Sequence, residues 1–318
     1  MNKNSLHPFS RSTKEEEGLP NEALYNLEKE CKQFEMETCI IYRNNAISYT
    51  YEQKQGLLTE KHRLNSVTKS IVSSLVGIAL EENKGFSIDK KLISYYDQID
   101  NESMSQVTIG NLLTMNSGFK PEDWKQVTES QNWIDTTFSL SLEDKPGEQM
   151  NYNNIDSHIL SDLIQKVTGH SSTEFLKEKL LKPMDIHDYV WEADPNDIPI
   201  GGYGIYLTPI DLLKYGVLIM QKGVWNNQQL IPASWVEEAV CGKVKTDKWK
   251  QQYGYHWWVS EEVNERQPSF FYAVGRAGKF IFIYPQKHLV VVFTGALSSK
   301  DSLLPYQWFV KYILKNLD

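Results

Sequence analysis

The sequence predicts an α+β fold: one antiparallel sheet built from both ends of the chain and flanked by terminal helices, plus an all-helical lobe from the middle. Three observations predict it. Near the N-terminus an amphipathic helical stripe precedes two β-rich runs joined by Asn44-Asn45. From about 90 to 190 the apolar spacing is mainly helical. After 190 come four runs rich in β-branched and aromatic residues and a last helical segment.

Taken in order, residues 1–20 are polar, with Glu15-Glu16-Glu17, and are expected to form a flexible arm. Leu24, Leu27, Cys31 and Phe34 recur at helical spacing, which predicts a helix over Ala23 to Phe34. Thr38 to Arg43 and Ala46 to Tyr51 read as strands, and Asn44-Asn45 can take the positive φ of a tight hairpin turn. Residues 21–64 are assigned with 191–318 to a sheet lobe and residues 65–190 to the helical lobe, with the active site expected between them, where ligand clefts tend to form. Within the helical lobe, Val107 to Met115 and Trp124 to Phe138 are each expected to be a helix. The stripe Ile155, Ile159, Leu160, Leu163, Ile164 and Val167 predicts another, closed by Gly169, and Ser171 with Glu174 is a capping box for the next. Later, Gly201-Gly202-Tyr203-Gly204 is a loop that lets backbones approach closely, and Thr208-Pro209 starts a helix through Met220. Tyr253 to Val259, Phe270 to Val274, Lys279 to Tyr284 and Leu289 to Thr294 are expected strands, and the last 16 residues a terminal helix.

Composition narrows the function classes. The 318 residues suffice for a large core, and 41% hydrophobic with 23% charged content is that of a globular protein. A net charge of −8 without a basic cluster argues against nucleic-acid binding. Three cysteines, at 31, 39 and 241, have no metal-binding spacing and leave one unpaired, which points to a reducing compartment. Met1 to Pro20 lacks the apolar core of an export signal, and no stretch of about 18 apolar residues is present to span a bilayer. The expected location is the cytoplasm.

The chemistry centres on Asn65-Ser66-Val67-Thr68-Lys69, which opens the apolar run Ile71 to Leu80. Asn65 is the expected helix cap. Ser66 and Lys69, three apart, share a helix face. A serine hydroxyl needs a base, and a lysine serves only when neutral; burial and the field of the helix start both favour that form. The same Ser-x-x-Lys spacing recurs at Ser87…Lys90, in a polar turn, and at Ser117…Lys120, where Gly118 and Pro121 oppose a helix. Only the first copy leads into an apolar run that would desolvate its lysine.

Two further segments can complete such a site. In Tyr152-Asn153-Asn154 a phenol can relay a proton and an asparagine can both donate to a carbonyl and accept from a lysine. In Gly275-Arg276-Ala277-Gly278-Lys279 a glycine at a strand start permits close approach, backbone N–H groups can face an oxyanion with the N–H of Ser66 as the second donor, and Arg276 can pair with a substrate carboxylate.

Set in order along the chain, these segments resemble the serine β-lactamase and penicillin-binding-protein superfamily, and most closely its class C β-lactamase-related branch of esterases and peptidases. Ser66-Val67-Thr68-Lys69 stands for its first motif and Tyr152-Asn153-Asn154 for its second. Arg276-Ala277-Gly278 falls where the family usually has Lys-Thr-Gly or His-x-Gly. The flanks agree: Leu112 to Gly118 is similar to the family's Leu-Leu-x-x-x-Ser-Gly, Leu207 to Leu212 to its helix start after a Gly-rich loop, and Gly254 to Trp258 to its strand before the third motif. The likeness runs from about residue 36 to the C-terminus.

The resemblance implies a β-lactamase/transpeptidase-like fold and a serine hydrolase working through an acyl-enzyme. Ser66 would be the nucleophile, Lys69 and Tyr152 would share the general-base and general-acid work with either taking the first proton, and Asn154 would orient Lys69 and substrate. The N–H groups of Ser66 and Lys279 would form the oxyanion hole, Arg276, Ala277 and Gly278 would complete the substrate contacts, and no metal or organic cofactor is implied. Arg276 departs from the family pattern. With the absent export signal, it favours a small cytosolic ester or amide as substrate over a β-lactam or D-alanyl peptide. A binding protein that keeps the fold without turnover is the non-catalytic alternative. A nucleophile-elbow hydrolase is disfavoured by the lack of Gly-x-Ser-x-Gly, and a zinc hydrolase by seven scattered histidines without His-Glu-x-x-His.

Overall fold

The computed structural model describes residues 9–11, 19–246, 251–260 and 270–317. The chain forms two compact units: Met1–Val67, Tyr206–Gln221 and Phe270–Asp318 make the first, and Thr68–Ile205 and Lys222–Ser269 the second.

The first unit begins with strand β1 (Ser10–Arg11), helix α1 (Asn21–Gln33) and the hairpin of β2 (Thr38–Arg43) and β3 (Ala46–Glu52), followed by β4 (His62–Arg63). The hairpin turn is the expected one, with Asn44 at φ 49° and Asn45 at φ 68°. The expected arm is partly built in: Ser10-Arg11 pairs in parallel with Ala46-Ile47, and Leu19 is buried. Residues 1–8 and 12–18 of the arm lie outside the described residues.

Helix α2 (Val67–Glu82) leads into the second unit, which continues with α3 (Ile109–Leu113), α4 (Asp123–Thr128), α5 (Trp133–Phe138), α6 (Ile155–Thr168), α7 (Ser172–Leu176), β5 (Val190–Trp191) and the start of β6 (Ile205–Leu207). Thr108 and Asn111 form a capping box on α3, as Ser171 and Glu174 do on α7, and Gly169 closes α6 at φ 75°. The single helix expected over Trp124 to Phe138 is two. The first ends at Thr128, and Asn132 caps the second, its side chain accepting from the N–H of Asp135 at 3.1 Å.

The chain then returns to the first unit as α8 (Pro209–Met220), capped by Thr208. Helix and sheet meet closely here: a Cβ on Gly216 would lie 2.7 Å from Val290 Cγ1. Next, β7 (Val224–Trp225), β8 (Gln228–Gln229), α9 (Ala233–Ala239), β9 (Val244–Lys245), β10 (Gln251–Tyr253) and β11 (Trp258–Ser260) all belong to the second unit. The expected sheet lobe took in all of 191–318, whereas 191–205 and 222–269 group with the second unit. Polar bonds explain it: the N–H of His256 donates to Leu113 O at 3.1 Å, Ser70 Oγ to His256 O at 2.6 Å, and Trp235 Nε1 to Ser73 O at 2.9 Å. The expected strand over Tyr253 to Val259 is likewise a hairpin. Its turn holds His256 at φ 61°, and a Cβ on Gly254 would strike Ala239 O at 2.2 Å.

The first unit closes with β12 (Phe271–Gly275), β13 (Lys279–Tyr284), β14 (Leu289–Thr294) and α10 (Leu304–Trp308), which runs on in looser helical turns to Asn316. Its strands lie in the order β1-β3-β2-β14-β13-β12, so the antiparallel pairing of β14 with β2 joins the two chain ends as expected. Every residue of β13 and β14 is buried, the pattern of strands covered on both faces. The Phe309 ring stacks on Phe282 at 4.1 Å, and the Tyr312 hydroxyl donates to Glu30 of α1 at 2.8 Å. Among the described residues no helix is long and apolar enough to cross a membrane.

Candidate active site

Helix α2 starts at Val67, directly after Ser66, and the N–H of Val67 donates to Leu64 O at 3.3 Å. Asn65 does not cap it. Its backbone is left-handed, at φ 50°, a conformation asparagine tolerates, and its side-chain amide donates to Arg276 O at 2.8 Å. A residue expected to serve its own helix thus holds the third motif instead.

That motif is the turn between β12 and β13. Gly275 pairs with Lys279, and Ala277 and Gly278 turn the chain at φ 65° and 83°. A Cβ on Gly275 would come within 2.2 Å of Leu64 O, so the strand end rests on the backbone just ahead of Ser66. The Ala277 N–H donates to Ser302 Oγ at 2.8 Å. The Arg276 side chain is exposed. The Lys279 side chain is buried and donates to the Gly295 carbonyl; burial lowers its pKa, with Glu37 opposing. Its amine is therefore committed to the turn's own framework.

Lys69, Tyr152 and Asn154 come together in the second unit. Lys69 is 1% exposed and donates to Asn154 Oδ1 at 2.6 Å and to Gly202 O at 2.8 Å. Its nitrogen lies 4.9 Å from the centre of the Tyr152 ring. Burial pulls its pKa down from 10.5 to about 7, against an upward push from Asp156. A neutral amine keeps two N–H bonds that such acceptors can take up. Half-buried Tyr152 packs edge-on against Tyr253 at 6.0 Å and lies 5.7 Å from Trp258. A cavity of about 560 Å³ opens beside it, walled by Tyr152, Trp258, Met150, Pro121, Lys245 and Thr246.

Several members of this cluster escaped sequence reasoning. Asn154 precedes α6 without capping it, since its oxygen is taken by Lys69. Asn153 caps instead, accepting from the N–H of Asp156 at 2.8 Å. Gly202 supplies a carbonyl; the glycine run signalled close approach but not the partner. A Cβ there would lie 2.6 Å from Asn154 Oδ1. Buried Asp156 accepts from Ser117 Oγ at 2.6 Å and Asn153 Nδ2 at 3.0 Å, and burial raises its pKa to about 7. His256 is bonded through Nε2 to Ser157 Oγ at 3.0 Å; burial and Lys69 lower its pKa to about 3, so it is neutral near pH 7.

A buried amine with depressed basicity thus lies beside a phenol ring and an amide, three residues along the sequence from a serine, and the fold around it is β-lactamase/transpeptidase-like. The β-lactamase family model matches residues 42–305, and the chain belongs to that family. Protein flp of Staphylococcus aureus is 28% identical over 134 residues, which make up 40% of this chain; the chain spans only 27% of that relative's length. The 6-aminohexanoate-dimer hydrolase of Paenarthrobacter ureafaciens is 21% identical over 290 residues, 80% of this chain and 72% of that protein. A Bacillus anthracis structure provisionally assigned as a 6-aminohexanoate-dimer hydrolase superposes with a TM-score of 0.81 at 17% identity, covering 99% of this chain and 90% of that one.

Proposed function

We propose that the chain is a serine hydrolase that forms an acyl-enzyme on a carboxylic ester or amide. Ser66 attacks the substrate carbonyl as its proton passes to Lys69, directly or through Tyr152. The resulting oxyanion is held by the N–H groups of Ser66 and Lys279. The tetrahedral adduct collapses, the leaving alcohol or amine takes up the proton, and water then releases the acid and restores Ser66. The observation that carries this reading is the state of Lys69, a buried amine with two acceptors and a pKa near 7.

The substrate reading follows from the cavity and from the relatives. The cavity sets Tyr152, Trp258, Met150 and Pro121 beside the polar side chains of Glu148, Gln149, Asn151 and Lys245, which suits a chain carrying polar as well as apolar groups next to the scissile carbonyl. Relatives named for the 6-aminohexanoate dimer favour a linear amide among the candidates. Arg276 in place of the family's lysine or histidine keeps β-lactams and D-alanyl peptides as the second choice. Free thiols at Cys31, Cys39 and Cys241 fit a reducing compartment, the cytoplasm.

The test is covalent. A fluorophosphonate is expected to add one adduct by intact mass, mapped to Ser66, and Ser66→Ala to lose both the adduct and p-nitrophenyl ester hydrolysis. Unchanged hydrolysis in the alanine variant would refute the proposal, and an unlabelled, inactive wild type would favour a binding role.

A further inference from the structure

Asp156 is a second buried ionisable group in the Lys69 cluster, and it belongs to none of the three motifs. It sits in the first turn of α6, two residues past Asn154, with no exposure to solvent. Ser117 and Asn153 each give its carboxylate one hydrogen bond, and Asn153 in turn donates to Asn151 O at 2.8 Å, which stiffens the arrangement. A buried carboxyl stays charged only with hydrogen bonds and a counter-charge; burial raises the pKa of Asp156 to about 7, and Ser117, Asn153 and Lys69 each oppose that rise. Asn154, which directly precedes α6, holds the Lys69 amine at 2.6 Å, so Asp156 two residues on belongs to the same buried cluster, where each of the two groups feels the other's charge. The titratable groups around the pair add no charge near pH 7. Tyr253 of β10 feels Asp156 and Tyr152 and is held as a phenol, and His256 in the following turn feels Lys69 and stays neutral.

We propose that Asp156 is a positioning residue for Lys69: its carboxylate, fixed by Ser117 and Asn153, is the counter-charge for the ammonium formed when Lys69 takes the proton of Ser66. The inference rests on the serine-hydrolase reading. In the step concerned, the Ser66 O–H bond breaks, an N–H bond forms on Lys69, and the oxygen's electron pair forms the new bond to the carbonyl carbon. Positive charge appears on Lys69 where water is excluded, and Asp156 offsets it without touching the substrate. Ser117, the first residue of a Ser-x-x-Lys copy that is no helix start, gains a role as the hydroxyl that opposes the rise burial imposes on the carboxyl's pKa.

The experiment titrates Lys69 itself, by NMR of protein carrying isotope-labelled lysine, in the wild type, Asp156→Asn and Ser117→Ala. This readout needs no turnover. The expected result is a Lys69 midpoint lower by about one pH unit in Asp156→Asn, a tenfold change in proton affinity, and a smaller shift of the same sign in Ser117→Ala. Hydrolysis of a neutral ester is then expected to keep its acid limb to lower pH while its plateau falls about tenfold, since the amine is a weaker base. A folded Asp156→Asn with an unmoved Lys69 midpoint overturns the proposal. If that variant does not fold, an unmoved midpoint in Ser117→Ala does so. A wild type that neither hydrolyses esters nor labels at Ser66 fails the hydrolase reading instead, and the titration still decides whether Asp156 sets the charge of Lys69.

Discussion

Two copies of one sequence pattern differ in everything but spacing. In Ser66…Lys69 the lysine is 1% exposed, at the start of a 16-residue helix, and is held by Asn154 and Gly202. In Ser117…Lys120 it is the serine that is buried, while the lysine side chain is 43% exposed and lies 3.5 Å from Glu143, also half exposed. Four residues suffice to write Ser-x-x-Lys, but none of them sets the dielectric around the amine. In the first copy the lysine is buried among Tyr152, Asn154 and Gly202, and that burial makes neutrality accessible. In the second, the lysine stands in water beside a carboxylate. The pattern is a spacing, and burial turns it into chemistry.

The largest expected effect breaks this contrast directly. Lys69→Arg installs a cation that cannot lose its proton, and kcat is expected to fall by about a thousandfold, the scale of general-base catalysis. Lys120→Arg, at an exposed ion pair, is expected to stay within about twofold. The pH profile sharpens the point. If the reaction uses neutral Lys69 as its base, activity should rise with pH through about 7, where burial has placed the pKa, and decline below it. A lysine of ordinary basicity would place that limb near pH 10. Initial rates on p-nitrophenyl acetate for both variants, and from pH 5 to 9 for the wild type, check this, and equal losses in the two variants would remove the distinction.

How much was legible follows the same division. Elements set by local pattern could be read: the α1 stripe Leu24, Leu27 and Cys31, the Asn44-Asn45 turn, and the caps at Ser171 and Thr208 all depend on neighbours within four residues. Partnerships between distant segments could not. Asn65 carries every local mark of a cap, yet its amide reaches residue 276. Ser117 was set aside because Gly118 and Pro121 oppose a helix; no helix starts there, but its hydroxyl supports Asp156 across 39 residues. Between Tyr253 and Val259 aromatic residues mask a turn that only Gly254 announces. The family resemblance recovered the meeting of Lys69, Tyr152 and Asn154 because motif order carries distance information that periodicity lacks. It said nothing of Asp156.

A second effect probes how closely the buried amine is framed. Gly202 lends its carbonyl to Lys69, and its α-carbon lies so near Asn154 that an added Cβ would sit 2.6 Å from Oδ1 and 2.9 Å from the side-chain Cβ. Gly202→Ala must therefore push Asn154 aside and loosen both acceptors of Lys69 at once. Misplacing a catalytic group by an ångström can cost up to about a hundredfold, so a ten- to hundredfold fall in kcat is expected. Gly110→Ala is the control: its nearest contact would be an ordinary 3.4 Å, in a helix where alanine is the better residue. Activity and thermal melts of both variants test the idea, and equal behaviour would show that Lys69 does not depend on the Gly202 approach.

The smallest effect asks whether an exposed cation contributes anything. Arg276 differs from Lys69 as Lys120 does, with its side chain in water, yet it stands in the third motif and its carbonyl is tied by Asn65 to the residue before Ser66. Arg276→Ala keeps that backbone bond and removes only the guanidinium. If the side chain pairs with a substrate carboxylate, KM should rise by about three- to tenfold for esters with an anionic end, the size of a charge-assisted hydrogen bond weakened by solvent, with kcat and the KM of neutral esters unchanged. Added salt should shrink the same difference, because an exposed pair is screened. A matched pair of succinyl and acetyl esters measures it, and equal KM changes on both would place Arg276 with Lys120 as a solvated charge.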